Sequence, residues 1–229
     1  MIQPVLRPRV KICCIASLEE AWLAIKYGAY AVGLVSEMPS GPGPIPEDLI
    51  AKIAASLPPS VSSFLLTSKQ NPSEIIMQHR RCKTNVIQLV DRINIDDYEK
   101  LRANMPGIGL VQVVHVTGEE ALAEAVAVAP HVNGILLDSG KPNLRVKQLG
   151  GTGRLHDWSL SRKIREDVTV PVFLAGGLNP DNVMEGINQV KPFGVDVCNG
   201  VRSENRLDER KLAAFFKAVW SKESAERED

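Results

Sequence analysis

Short apolar runs alternate with longer amphipathic segments along the chain. Eight of these runs are rich in β-branched residues and favour strands. They are RVKICCI at 9–15, YAVGLV at 30–35, SSFLLT at 62–67, NVIQLV at 85–90, GLVQVVHV at 109–116, NGILLD at 133–138, VPVFLAGG at 170–177 and GVDVCNG at 194–200. Because most runs are apolar at successive positions, they are typical of strands in a parallel sheet that helices cover on both faces.

Helix start signals fall between these runs. The pairs Ser17–Glu20 and Thr117–Glu120 fit the capping box, in which a hydroxyl and a carboxylate bond free amides of the first turn. Asn71 and Asn179 each precede a proline, a combination that suits a cap followed by the first helical position. Further amphipathic segments at 47–57, 95–103, 157–166 and 208–220 complete eight strand–helix units.

Eight strand–helix units in one chain of 229 residues are the number that a (β/α)8 barrel requires. The alternative is a doubly wound open sheet, which usually has fewer strands. We expect the barrel, as a single α/β domain over residues 1–229, with a frayed polar tail from about residue 221.

Composition and charge limit the classes of partner that we expect the chain to bind. Lys plus Arg and Asp plus Glu number 27 each, so the formal net charge of zero offers no basic field for nucleic acid. The amino terminus lacks the apolar core of a signal peptide, and no segment has eighteen uninterrupted apolar residues. We therefore expect a cytoplasmic protein without nucleic-acid or membrane partners.

The four cysteines are scattered, without the paired spacing of a zinc site or the density of a disulfide scaffold. They are Cys13, Cys14, Cys82 and Cys198. In a reducing compartment they should be thiols, and we expect no metal.

Functional groups of barrels gather at the carboxyl ends of the strands, which singles out the first run. Strand alternation places Lys11 and Cys13 on one face and Ile12 and Cys14 on the other. A cysteine in a buried strand is by default a small apolar filler. However, a buried lysine needs an anionic partner, and its charge would lower the pKa of a neighbouring thiol.

Three further strand ends carry candidate chemistry. Asp138 closes an apolar strand, where it would serve as a site carboxylate, a turn cap or the partner of Lys11. Gly177 and Gly200 follow the last two strands, and barrels often hold a phosphate between the loops at that position. Asn179 adds a helix amino end, which favours an anion. The alternative for both glycines is a purely structural turn.

The motifs together resemble phosphoribosylanthranilate isomerase, a (β/α)8 enzyme of tryptophan biosynthesis. They are VKICCI at 10–15, QL at 88–89, ILLD at 135–138, GGTG at 150–153 with DWSL at 157–160, LAGGLNPDNV at 174–183 and VDVCNGV at 195–201. The resemblance extends from about Val10 to Phe216. It implies an Amadori rearrangement of an N-phosphoribosyl aromatic amine, catalysed without metal or cofactor.

The resemblance also implies roles for individual residues. Cys13 would be the general base and Asp138 the general acid. Gly177, Asn199 and Gly200 would bind the phosphate of a small phosphosugar substrate. Tentative further substrate contacts are Lys11, Gln88 and Arg202.

The sequence departs from the family pattern at three places. Cys14 stands where the family has glycine, and Val90 and Asp91 replace a histidine and a glycine. Pro42 falls about where the family has an arginine that grips the anthranilate carboxylate, and no arginine or lysine occurs at 32–51. His115 or Arg202 would be replacement donors.

Two alternative functions stay open at this point. One is a paralogous isomerase whose sugar phosphate carries a different aglycone. The other is a catalytically silent barrel that only binds a phosphorylated ligand. Oligomeric state is not predicted.

Overall fold

The computed structural model describes residues 7–140 and 156–221, and in it eight parallel strands form a closed barrel in chain order. The strands are β1 (Arg9–Ile12), β2 (Ala31–Val35), β3 (Ser62–Thr67), β4 (Val86–Leu89), β5 (Gly109–His115), β6 (Gly134–Asp138), β7 (Val172–Leu174) and β8 (Gly194–Val197). The helices are α1 (Leu18–Lys26), α2 (Glu47–Ser56), α3 (Pro72–Cys82), α4 (Ile95–Asn104), α5 (Glu120–Val128), α6 (Trp158–Asp167), α7 (Val183–Val190) and α8 (Glu209–Trp220). This single-domain (β/α)8 barrel confirms the predicted fold.

Closure of the sheet depends on β1, which pairs in parallel with both β2 and β8. Lys11 is in register with Ala31 on one side and Asp196 on the other. An open doubly wound sheet would leave β1 and β8 without this mutual pairing. The first and last strands are therefore neighbours, although 185 residues separate Lys11 from Asp196.

Strand alternation divides the apolar residues into an outer and an inner layer. On β1, Val10 and Ile12 face outward and pack in a cluster that includes Phe215 of α8. The barrel interior is filled by a separate cluster that includes Phe64 and Phe173, whose rings meet edge to face at 6.2 Å. The interior is a packed core up to the level of the strand ends.

Two of the predicted helix caps are present. The Ser17 hydroxyl accepts a hydrogen bond from the Glu20 amide, and the Glu20 carboxylate accepts one from Ala16. The Asn71 side chain accepts from the Ser73 amide, with Pro72 opening α3. These bonds use amides that would otherwise lack an intrahelical partner.

The other two predicted helix starts differ from expectation. Thr117 donates to the Glu120 carboxylate instead of capping α5, which begins without a side-chain cap. Asn179 accepts from the amides of Asp181 and Asn182 and forms a turn, so α7 begins only at Val183. Side-chain bonds to the next amides stabilise such a turn in competition with helix.

The carboxyl-terminal helix α8 ends at Trp220, and residues 222–229 of the expected frayed tail lie outside the described residues. No helix of the described ranges has the length and apolar character needed to cross a bilayer.

A charged pair lies inside the barrel between β1 and β8. The Lys11 ammonium donates to the Asp196 carboxylate at 2.8 Å, and the side chains are 0% and 6% exposed. Burial favours the neutral amine, but Asp196 and Cys13 outweigh burial and raise the pKa of Lys11. Lys11 therefore stays charged, and the pair ties the two closing strands together across the interior.

We expect Lys11→Met to lower the free energy of unfolding by about 3–5 kcal/mol, because the Asp196 carboxylate would stay buried without its partner. The control Lys26→Met breaks a pair with Glu209 whose side chains are 68% and 51% exposed, and it should cost much less because solvent screens the two charges. Urea denaturation measures both values. Equal small losses in the two variants would contradict a structural role for the buried pair.

Candidate functional site

The carboxyl ends of the strands surround a cavity of about 280 Å³. Most residues singled out from the sequence line it: Cys13, Gln88, Asp138, Gly177, Asn199 and Gly200. The strands that carry them are spread around the barrel, so the fold alone brings these residues together. Lys11 and Arg202 are not among the lining residues.

Cys13 directly follows β1, and its amide donates to the Val197 carbonyl at 2.8 Å. Gly33 on β2 makes room for it, because a Cβ there would lie 2.8 Å from the Cys13 sulfur and 3.1 Å from Lys11 Nζ. A hydrogen bond from Cys14 and the charge of Lys11 lower the pKa of Cys13, against the opposing effect of burial. The arrangement favours the thiolate, which is the form that can accept a proton.

Cys14 corrects one prediction, since its side chain does not point away from Cys13. Strand β1 ends at Ile12, and Cys14 adopts the left-handed conformation with φ of 61°. This turn brings its thiol into the same apolar cluster and the same cavity as Cys13. The expected alternation fails because it holds only while the backbone stays extended.

The Cys14 thiol touches two loops. It contacts the Pro42 carbonyl at 3.6 Å and the Cys198 sulfur at 2.6 Å. Hydrogen bonding to Cys13 and Cys198, together with burial, raises the pKa of Cys14 well above its ordinary value. The two adjacent cysteines therefore differ, with Cys14 held as the thiol and Cys13 favoured as the thiolate.

Asp138 ends β6 and is 8% exposed at the cavity wall. Burial raises the pKa of its carboxyl, while the Ser139 amide at 2.7 Å and His115 act in the opposite direction. A raised pKa keeps more of the carboxyl protonated at neutral pH, which suits a proton donor. Cys13 and Asp138 thus have opposite shifts within one cavity.

The loops after β7 and β8 meet at the other side of the cavity. Gly176 and Gly177 have positive φ values of 80° and 67°, a backbone conformation that glycine adopts without steric cost. A Cβ on Gly200 would lie 2.0 Å from the Leu178 carbonyl oxygen, so the two loops touch where only glycine fits. Such close-packed glycine turns are suited to presenting backbone groups to an anion.

Asn182 holds the first of these loops in place. Its side chain donates to the Gly177 carbonyl at 3.0 Å and accepts from the Asn179 amide at 2.8 Å. Asn179 therefore forms a turn. The N-cap position that was expected for it is occupied by Asn182, three positions later.

Arg202 lies behind the cavity in a buried network. Its guanidinium donates to the Glu20 carboxylate, at 2.8 Å and 3.1 Å, and to the Cys14 carbonyl. These bonds hold the backbone that carries the site cysteines. Arg202 is thus placed to position the end of β1, and the tentative substrate contact is not supported by this location.

Two buried oxygens at the cavity lack hydrogen-bond partners among the described residues: Gln88 Oε1 and Asp196 Oδ1. Buried acceptors usually have a partner, so these atoms are available to a bound ligand. Asp196 was not singled out from the sequence. Two signals could have found it: the expected anionic partner of Lys11, and its central position in the strand VDV.

The aromatic half of the expected site is altered. Val90 and Pro42 line the cavity, and the lining residues of the described chain include no arginine, lysine or histidine. His115 Nε2 faces the Val90 carbonyl at 3.1 Å, behind the cavity wall. The GGTG motif at 150–153 lies outside the described residues.

Residues 7–140 and 156–221 contain no group of three histidine, cysteine or acidic side chains arranged to hold a metal ion.

Comparison with known proteins gives consistent matches. Residues 10–218 match the family model described as N-(5'-phosphoribosyl)anthranilate isomerase. A protein of that name from Methanocella arvoryzae is 33% identical over 208 residues, which are 91% of this chain and 95% of the relative. The corresponding protein of Haloferax volcanii is 35% identical over 212 residues, 92% of each chain.

Solved structures agree with the sequence matches. The phosphoribosylanthranilate isomerase of Thermotoga maritima superposes with a TM-score of 0.80 at 31% identity, covering 93% of this chain and 98% of the other. A structure of such an isomerase in complex with reduced 1-(o-carboxyphenylamino)-1-deoxyribulose 5-phosphate has a TM-score of 0.77 at 30% identity, with the same coverage.

Proposed function

Because this chain belongs to the N-(5'-phosphoribosyl)anthranilate isomerase family, we propose that it isomerises N-(5'-phosphoribosyl)anthranilate to the aminodeoxyribulose phosphate, a step of tryptophan biosynthesis. The enzyme class is an aldose–ketose isomerase. The observation that carries the proposal is the presence of Cys13 and Asp138 in one cavity with opposite pKa shifts.

The first step opens the furanose ring. The Asp138 carboxyl donates its proton to the ring oxygen while the nitrogen lone pair forms the iminium at C1. Burial supports this role because it raises the pKa of the carboxyl and so increases the fraction that carries a proton to donate. The developing alkoxide leaves as a neutral hydroxyl, so no charged leaving group has to be stabilised.

The second step forms the enolamine. The Cys13 thiolate removes the proton from C2 of the iminium, whose positive nitrogen accepts the electron pair. The enolamine then tautomerises to the ketone of the product. The lowered pKa of Cys13 supports its role as the base, because it increases the fraction of thiolate that can accept a proton.

Lys11 and Asp196 stabilise the thiolate form of Cys13, the proposed base. The Lys11 ammonium lies close to the thiol and holds its charge through the buried bond to Asp196. Since neither the ammonium nor the thiolate is screened by bulk water, their attraction is stronger than at a surface. We assign Lys11 as a positioning residue for Cys13.

The phosphate of the substrate fits the loops after β7 and β8. Gly177, Asn199 and Gly200 line the cavity there, and the contact between Gly200 and Leu178 fixes the spacing of the loops. Backbone amides at glycine turns bind phosphate without a cationic side chain. This half of the site supports a sugar phosphate as the substrate class.

The site is also compatible with a second candidate substrate, which would differ in its aglycone. No cationic side chain lines the cavity among the described residues, and Pro42 occupies the region expected to hold an arginine. This observation favours a paralogous isomerase with another aglycone as the alternative. A silent binding barrel is less consistent with the site, since binding alone needs no thiol and carboxyl with opposed pKa shifts. A cytoplasmic location stays part of the proposal.

We expect Cys13→Ser and Asp138→Asn each to lower kcat by at least about 100-fold, because each removes a group that transfers a proton in the reaction. Cys14→Ser keeps a hydrogen-bond donor beside Cys13 and should lose less. Steady-state turnover of N-(5'-phosphoribosyl)anthranilate measures these effects.

The control for this experiment is Cys82→Ser, which alters a buried thiol in the outer core, at the end of α3. Its kcat should be unchanged. Full activity of Cys13→Ser or Asp138→Asn would refute the assignment of base and acid.

We expect Pro42→Arg to lower the KM for N-(5'-phosphoribosyl)anthranilate about tenfold, because a charged hydrogen bond to the carboxylate contributes about 1.5 kcal/mol or more. The value of kcat should change little, since a remote carboxylate is bound equally in the ground and transition states. Pro39→Arg is the matched control, because it adds the same charge to an exposed position of the loop outside the cavity lining. Equal KM values in both variants would show that another group binds the carboxylate.

A further inference from the structure

Two thiols that the proposed mechanism does not use for proton transfer meet at the base of the cavity. The sulfurs of Cys14 and Cys198 are 2.6 Å apart, and both residues line the cavity. Neighbouring sulfurs at this separation are close to the bonding distance of about 2.05 Å in a disulfide. A small movement of the side chains would therefore join them.

The backbone holds the two residues at a suitable spacing. Cys14 follows β1 and Cys198 follows β8, and these strands pair in parallel up to Ile12 and Val197. The Cys13 amide continues the pairing with a bond to the Val197 carbonyl at 2.8 Å. This register places Cys198 opposite Cys13, and the left-handed turn at Cys14 brings the next thiol back against the Cys198 sulfur.

The two thiols differ in their exposure to solvent. Cys198 is half-buried and faces the cavity, whereas Cys14 is only 5% exposed. Reactive thiols are usually partly exposed, so Cys198 is the sulfur that a dissolved oxidant can reach. Cys14 lies directly behind it, in the position of a resolving thiol.

The backbone conformation of Cys14 is unfavourable for a residue that has a side chain. Its φ of 61° lies in the left-handed region, which is sterically unfavourable for a non-glycine residue. Glycine would fit this backbone without that steric penalty. The thiol therefore replaces the residue that the backbone favours.

From this geometry we propose that Cys14 and Cys198 form a reversible disulfide that switches the site off. The pair responds to small-molecule disulfides such as glutathione disulfide. Disulfides in reducing compartments are usually transient and regulatory, in agreement with a bond that opens and closes at an active site.

The reaction proceeds by two exchanges. Cys198 loses its proton to water, and its sulfur attacks one sulfur of glutathione disulfide, which breaks the S–S bond and releases one glutathione thiolate. Cys14 then gives its proton to water, and its sulfur attacks Cys198 Sγ, which breaks the mixed disulfide and releases the second glutathione thiolate. The two glutathione thiolates take up the two protons that the protein thiols released. Two protein thiols are oxidised and one glutathione disulfide is reduced to two glutathione molecules.

The disulfide acts on the reaction through Cys13. Once Cys14 is in a disulfide, it has no S–H group to donate, and the hydrogen bond that lowers the pKa of Cys13 is lost. The bridge also fixes the chain beside Asn199, which lines the region assigned to the phosphate. The oxidised form should therefore abstract the proton more slowly and bind the phosphate of the substrate less well.

The test incubates the full chain in buffers of increasing ratio of glutathione disulfide to glutathione, followed by peptide mass mapping and activity measurement. We expect a Cys14–Cys198 crosslink, at least about a tenfold loss of kcat/KM in parallel with it, and full recovery with dithiothreitol. The crosslink readout does not depend on the proposed function, whereas the activity readout does. An enzyme inactive when reduced would thus count against the proposed function and leave the crosslink as the test of the disulfide.

Variants separate the pair from the other thiols, with each variant compared with its own reduced form. Cys14→Gly and Cys198→Ser should form no internal crosslink, and Cys82→Ser should behave like the unmodified chain. A crosslink that persists in Cys14→Gly would assign the bond to Cys13 and overturn the proposal. Absence of the crosslink in the unmodified chain, or a crosslinked protein with undiminished activity, would overturn it as well.

Discussion

The buried bond between Lys11 and Asp196 is the interaction on which the rest of the site depends. It joins the first and last strands at 2.8 Å across the interior, at the level where the barrel core gives way to the cavity. A lysine in this position has to stay charged and partnered, because an isolated buried charge would be far too costly. The same charge favours the Cys13 thiolate, so one ion pair contributes both to closing the barrel and to the ionisation of the proposed base.

The end of β1 shows how a local change of backbone conformation alters the chemistry of a strand. After Ile12 the chain turns through the left-handed conformation of Cys14, and two consecutive thiols come to share a cavity. Arg202 holds this turn by bonding the Cys14 carbonyl and the Glu20 carboxylate. The position is thus fixed by interactions with distant residues, and the Cys14 thiol connects Cys13 to the loop after β8.

The sequence predicted the barrel because strand periodicity and helix caps are local signals that the tertiary structure reinforces. It placed Lys11 and Cys13 on the inner face correctly, since both depend on regular alternation in β1. It failed at Cys14, where the extended backbone ends. The partner of Lys11 could be expected as a carboxylate but not identified as Asp196, because only closure of the barrel sets that register. The burial of Arg202 likewise depends on a partner far away in sequence.

The pH dependence of kcat/KM tests the central claim, that Cys13 is the base and Asp138 the acid, most directly. The rate should fall at low pH as Cys13 gains a proton and at high pH as Asp138 loses its proton. In Cys14→Gly, the pKa of Cys13 loses the largest influence that lowers it, so the limb that reports Cys13 should move to higher pH while the limb that reports Asp138 stays. A profile in which neither limb moves between the two proteins, or a rate that continues to rise through the alkaline range, would contradict the account.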